Sequence, residues 1–221
     1  MGSRVGGWET LERPRLRGVF HQYAFFLSLV AGAVFVLGAP TSRARLAAAI
    51  FAATVSIMLG TSALYHRLPW TPRAKRRMRR LDHVAIFLLI AGTYTPFGLL
   101  VLSGSWRISV LAVVWSGALL AIVLQVSWID SPTWIAAVLG IALGWVGVVT
   151  FPQLLDKAGI VPSALLLAGG LLYTAGAVVY ALRRPNPRPL VFGFHEIFHL
   201  LVIGAAITHF VAIAVFVLPD A

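Results

Sequence analysis

The chain has 221 residues, of which 59% are hydrophobic and 11% charged, and it carries a formal net charge of +11. Its mean hydropathy of +0.89 exceeds what a water-soluble core of this size can hide, which excludes a soluble globular protein and predicts an integral membrane protein. The absence of cysteine excludes disulfides, thiolate catalysis and cysteine-ligated metals, so any metal would rest on His, Asp or Glu.

Residues 1–18 include Arg4, Arg13, Arg15 and Arg17 and read as a cytoplasmic N-terminal segment ahead of a single domain over 19–221. The apolar run from Val19 to Ala39 is longer than the roughly 7–15 residues of a signal-peptide core and lacks a clear A-x-A site, so it is expected to be retained as the first span. A spanning helix needs about 20 mostly apolar residues. On that criterion the chain predicts spans at 19–38, 46–66, 82–102, 108–127, 133–151, 162–182 and 192–217. Pro40, Pro69, Pro72, Gly104, Pro132, Pro152, Pro162 and the Pro185, Pro187, Pro189 cluster punctuate them. The fold class is all-α, a seven-transmembrane helix bundle with short loops.

Lys and Arg are distributed unevenly between the two sides of such a bundle. Fourteen fall in the N-terminal segment and the second and sixth loops, seven of them between Arg67 and Arg80, against four on the other side, Arg43, Arg45, Arg107 and Lys157. The positive-inside rule then predicts a cytoplasmic N-terminus and an outside C-terminus. Topology alone accounts for most of the charge and no nucleic-acid motif accompanies it, so nucleic acid is not an expected partner. Anionic lipid headgroups are.

An ionisable group inside the bilayer is costly, about 2.5–3.5 kcal/mol for an Asp at a helix centre, and each one needs an account. The predicted spans contain or border His21, Ser62, His66, Asp82, His83, His195, Glu196, His199 and His209. With the predicted orientation, His66 ends span two, Asp82 opens span three, and His195 and His199 open span seven, so all four fall in one layer at the cytoplasmic end. Ser62 and His66, and likewise His195 and His199, are four residues apart, which puts each pair on one helix face. Three imidazoles with a carboxylate or water would complete the four-coordinate site that zinc favours. The plainer readings are that Asp82 is an acidic N-cap of span three and that His21 and His83 are interfacial or hydrogen-bonded residues. His209 lies about 15 Å beyond His199 along the helix and is expected to make a buried hydrogen bond or to line a cavity. Pro96 predicts a bend in span three. Gly140 with Gly144, and Gly169, Gly170 and Gly176, read as packing surfaces, with dimerisation as a lesser option.

Residues 195–199, H-E-I-F-H, also spell the H-E-x-x-H signature in which Glu196 would serve a zinc protease as general base. That reading needs a third ligand, and the only acid after Glu196 is Asp220.

The segments S-A-L-Y-H at 62–66, L-D-H-V-A-I-F-L-L-I-A-G-T-Y-T-P at 81–96 and H-E-I-F-H-L-L-V-I-G-A-A-I-T-H-F at 195–210 resemble, in order and spacing, the hallmark segments of the hemolysin III family. This is the bacterial branch of the progestin and adipoQ receptor family, related to alkaline ceramidases. The resemblance implies a multi-pass protein of the bacterial inner (plasma) membrane with a zinc ion held by His66, His195 and His199. It also implies that Asp82 and Ser62 lie close to the metal-bound water, and the chemistry of such a site gives them catalytic roles, Asp82 accepting the water's proton and Ser62 or the zinc stabilising the oxyanion. Members related to the adiponectin receptors look like ceramide amidases, so a membrane lipid amide or ester is the implied substrate. In that pattern the position of Glu196 need not be acidic, leaving it to orient a neighbouring ligand or to face the headgroups. A non-enzymatic signalling, stress-response or pore-forming protein with a structural zinc site is the alternative.

Overall fold

The computed structural model describes residues 14–128 and 130–219. Arg4, Arg13 and Asp220 lie outside the described residues. The chain forms α1 (Val19–Leu37), α2 (Ser42–Arg67), α3 (Pro72–Pro96), α4 (Gly104–Ser127), α5 (Thr133–Gly144), α6 (Phe151–Ala158), α7 (Ile160–Leu182) and α8 (Phe194–Val211). α3 continues as a π-helix over Phe97–Val101 and α8 as another over Ala212–Val217, while a 3-10 turn, Val146–Thr150, joins α5 to α6. Seven of the resulting rods are long and apolar enough to cross a membrane. The described residues contain no strand, only one isolated bridge between Arg188 and Phe192.

Neighbours along the chain pack in a ring, α1 on α2, α2 on α3, α3 on α4, α4 on α5, α5 on α7 and α7 on α8, which returns to α1. α3 is the central rod: 61% of its most apolar stretch is buried, against 44% or less in the other crossings. The outer faces present Leu27, Leu37, Ile108, Leu120 and Ile160, each 70% exposed or more. A contiguous apolar belt of that kind is an aggregation hazard in water and the required surface in a bilayer.

Four helices, α2, α3, α4 and α7, begin earlier than hydropathy predicts, and the first two open on threonine caps. α2 starts at Ser42, where the Thr41 hydroxyl accepts from the Ala44 amide at 3.1 Å, and α3 starts at Pro72, where Thr71 accepts from Ala74 at 3.4 Å. Hydropathy marks what the bilayer solvates, not where the backbone stops being helical, and Arg and Lys are good helix formers. The Thr71 cap followed by proline at the first helical position is the local signal that marks the true start. Arg73 to Arg80 therefore ride on the first turns of α3, and the connecting loop is only residues 68–71. Asp82 is ten residues inside α3, which overturns its reading as an N-cap.

The fifth crossing runs over Trp134–Ala158 rather than 133–151 and is broken in the middle. The Tyr94 hydroxyl of α3 donates to the Gly144 carbonyl at 2.6 Å and accepts from the Gly147 amide at 2.8 Å, so a neighbouring rod satisfies backbone groups that the break sets free. At Pro96 the third crossing does not stop; it passes on into the π-helix.

Apolar packing sets the rotation of the rods about their axes. Met58 and Leu59 of α2, Ala85 and Leu89 of α3 and Val202 of α8 form one buried cluster. With those faces engaged, Ser62, His66, Asp82, His195 and His199 turn toward the interior. At the other end of the bundle, Phe35, Phe51, Phe97 and Ile213 close a second core.

Candidate metal centre

His66 sits in the last turn of α2, and His195 and His199 in the opening turns of α8. Their ring centroids are 4.6 Å (66 to 195), 5.2 Å (66 to 199) and 4.5 Å (195 to 199) apart, all at steep interplanar angles. Edge-on imidazoles can direct one nitrogen each at a common point. One nitrogen from each ring lies within 4.8 Å of the other two, so the group could hold a metal ion. The Nε2 atoms of His66 and His195 stand 3.0 Å apart. Metal–imidazole bonds are about 2.0–2.1 Å for zinc, so a shared cation fits this donor set with small ring movements.

Asp82 brings its Oδ2 to 3.9 Å from the His66 Nε2, with its side chain 13% exposed. Ser62, buried one turn before His66, interacts with the Asp82 carboxyl. The five expected site residues thus meet at one end of the bundle, and Ser62, Asp82 and His199 open on a cavity of about 150 Å³.

That cavity continues between α3, α5, α7 and α8 and meets a second one of about 130 Å³; Thr93, Tyr94, Gly144, Trp145, Gly170 and His209 line both. Space for a Cβ is open at Gly144 and Gly170, and at Gly140 the only near neighbour is Ile90 at 3.8 Å. Gly140, Gly144 and Gly170 therefore widen the interior instead of packing rods together, which corrects the packing-surface reading for these three. It holds for Gly176, where a Cβ would touch Phe198 and Leu201, and for Gly169, which abuts His209. His209 combines both expectations, sharing a 3.1 Å hydrogen bond with the Leu166 carbonyl and lining the cavity. His83 bonds the Gln125 amide oxygen at 3.2 Å, in keeping with a hydrogen-bonded role; Gln125, fully buried in α4, had no sequence signal.

Glu196 is fully buried and faces no headgroup. Its Oε2 accepts from the Gly193 amide at 2.7 Å, capping its own helix, and its Oε1 accepts from Arg17 Nε at 2.5 Å. Both carboxylate oxygens are engaged away from the histidines, which removes the structural basis for a protease-type general base. Breaking a buried pair from one side costs about 3–5 kcal/mol. Arg17→Ala, which strands the buried carboxylate, is expected to lower detergent-phase thermal stability by about 3 kcal/mol, and Glu196→Gln by less, because Arg17 reaches solvent. Equal melting of wild type and Arg17→Ala would contradict that role.

His21 overturns its interfacial reading. It is 2% exposed and stacks flat on His199, with centroids 3.7 Å apart and planes at 7°. Nothing in the sequence joins Arg17 to Glu196 or His21 to His199, since each pair is separated by nearly the whole chain.

Fold and site together define a polytopic membrane protein of seven helical crossings, with a partly buried three-histidine group beside an apolar interior that His199 lines. The chain belongs to the haemolysin-III-related family, whose model matches residues 9–210. It is similar to hemolysin-3 of Bacillus cereus, 31% identical over 206 residues that cover 92% of this chain and 91% of that one. The hemolysin-3 homolog of Bacillus subtilis (strain 168) is 29% identical over 161 residues, 73% of this chain and 72% of the relative. The heptahelical transmembrane protein ADIPOR2 of Oryza sativa subsp. japonica is 31% identical over 182 residues, 75% of this chain and 80% of the relative.

Proposed function

We propose that the protein is a zinc-dependent lipid hydrolase that cleaves an acyl amide or ester, of ceramide type, at the basic end of the bundle. The observation that carries this reading is the juxtaposition of three imidazoles, Asp82 and Ser62 with the mouth of an apolar cavity. His66, His195 and His199 would hold the metal. Zinc, when bound, supplies water that ionises near neutral pH and positive charge beside a developing oxyanion. Asp82 takes the proton released in the attack and returns it to the leaving amine or alcohol. The Ser62 hydroxyl rotates from the carboxyl to donate a hydrogen bond to the carbonyl oxygen as it gains charge. The apolar walls receive the acyl tail and keep bulk water from the reacting carbonyl.

The distribution of Lys and Arg supports a cytoplasmic N-terminus, and with it a site at the cytoplasmic leaflet of a bacterial inner membrane. Arg73, Lys75 and Arg77, exposed on the first turns of α3, would engage anionic headgroups there. Fatty-acid release from labelled ceramides and phospholipids by purified protein tests the reading; full turnover by His66→Ala and Asp82→Ala would remove it. Gly170→Leu is expected to cut turnover of long-chain substrates more than short-chain ones, at unchanged metal content, because the new side chain enters the space where the two cavities meet. Uniform rates across chain lengths would place the acyl tail elsewhere.

One distance favours a second reading. At 3.9 Å from His66 Nε2, Asp82 is near enough to become a fourth ligand, and a closed four-ligand site is structural rather than catalytic. The protein would then be a non-enzymatic membrane component, in line with the lytic activity that the Bacillus relatives' names suggest.

A further inference from the structure

A metal-bound imidazole ordinarily has its orientation set by its second nitrogen, which donates to a carboxylate or a carbonyl. His199 departs from that pattern: it is 1% exposed, and its Nδ1 meets no hydrogen-bond partner among the described residues. What covers it is the face of His21, parallel to within 7° at 3.7 Å. Neither ring nitrogen of His21 makes a hydrogen bond of good geometry, although the side chain also comes near the His199 backbone, and it is the flat face that meets the His199 imidazole.

The same turn of chain touches the centre at two more points. Arg17 pairs with Glu196, which lies between the two histidines of α8. Gly18, at φ +78°, lies so close to α2 that a Cβ would stand 2.6 Å from the Cβ of His66. Both its backbone conformation and that approach require glycine. The backbone of residues 15 and 16 is in turn fastened to the loop before α8, Arg15 N to Leu190 O at 3.0 Å and Leu16 N to Val191 O at 3.2 Å.

We infer that the start of α1 is a clamp on the metal centre, in which His21 is a positioning residue that fixes the ring plane of His199 by stacking in place of the missing hydrogen bond. The inference rests on the reading of the three histidines of α2 and α8 as a metal centre and adds to it a contribution from a third helix, α1. A flat ring pressed on one face of His199 blocks rotation of the imidazole about its Cβ–Cγ bond while leaving both nitrogens in plane and free to ligate.

The test compares His21→Phe, which keeps a flat ring, with His21→Leu, which keeps bulk without one. Metal-free full-length protein in detergent is titrated with Co²⁺, and affinity and the visible d–d spectrum are read, with helical circular dichroism and size-exclusion elution reporting folding separately. The Phe variant is expected to bind as the wild type does with the same spectrum. The Leu variant is expected to bind about 10–100-fold more weakly, the usual cost of losing a group that orients a ligand, with altered band intensities. If the Leu variant misfolds, His21→Ala takes its place in the comparison. Wild-type affinity in the Leu variant would overturn the proposal, as would a Phe variant as weak as Leu, since a nitrogen of His21 would then be what the centre needs. A wild-type chain that binds no cobalt would remove the metal centre itself, a failure distinct from either.

Discussion

Simultaneous replacement of His195 and His199 by alanine is expected to take detergent-purified protein from about one metal ion per chain to background, because four-coordinate zinc cannot be held by His66 and one carboxylate alone. The fold should survive. Both histidines sit in the opening turns of α8, whose packing against α7 and in the buried cluster around Val202 rests mainly on apolar side chains, although Tyr180 of α7 also sets its ring edge-on to His195. Elemental analysis beside circular dichroism measures both halves. Metal retained by the double variant would mean that the imidazoles, although brought together, are not the ligands. Hydrolysis is expected to disappear with the metal, and activity that persists in a metal-free chain would refute the hydrolase mechanism directly.

Asp82→Asn separates the two functional readings. If Asp82 moves protons without ligating, the variant keeps its metal and loses about 10²- to 10⁴-fold in turnover, the ordinary contribution of a general base. The side chain remains isosteric and Ser62 can still hydrogen-bond the amide. A parallel loss of metal would identify Asp82 as a fourth ligand and favour the closed, structural site. Since the carboxyl stands 3.9 Å from His66 Nε2, close to the spacing of two donors on one ion, metal stoichiometry reads what distance alone does not.

The crossings and the polar pairs are legible in the sequence alone. Ser62 with His66 and His195 with His199 are each one helical turn apart, and that period is a property of the backbone. Their common layer followed from counting helix ends. The start of α3 was also legible, in Thr71 and Pro72, but hydropathy passed over it because the first turns carry arginines. Other features had no local signature at all. Arg17 meets Glu196 across 179 positions, and His21 meets His199 only because α1 closes the ring of helices against α8. Gly140, Gly144 and Gly170 form a small-residue pattern indistinguishable in sequence from one that packs helices together.

The amino-acid sequence by itself determined the number of crossings, the common end of the bundle where Ser62, His66, Asp82, His195 and His199 gather, and the face that each pair one turn apart shares, because those follow from additive hydropathy and a fixed helical repeat. Tertiary structure alone decided what each face meets: the carboxylate of Glu196 turned to Arg17, His21 laid on His199, and glycines bordering space instead of another helix. The physical reason is that a helix's rotation about its axis is set by the packing of segments far apart in the chain, and a bilayer presents the same apolar solvent to every side of the rod.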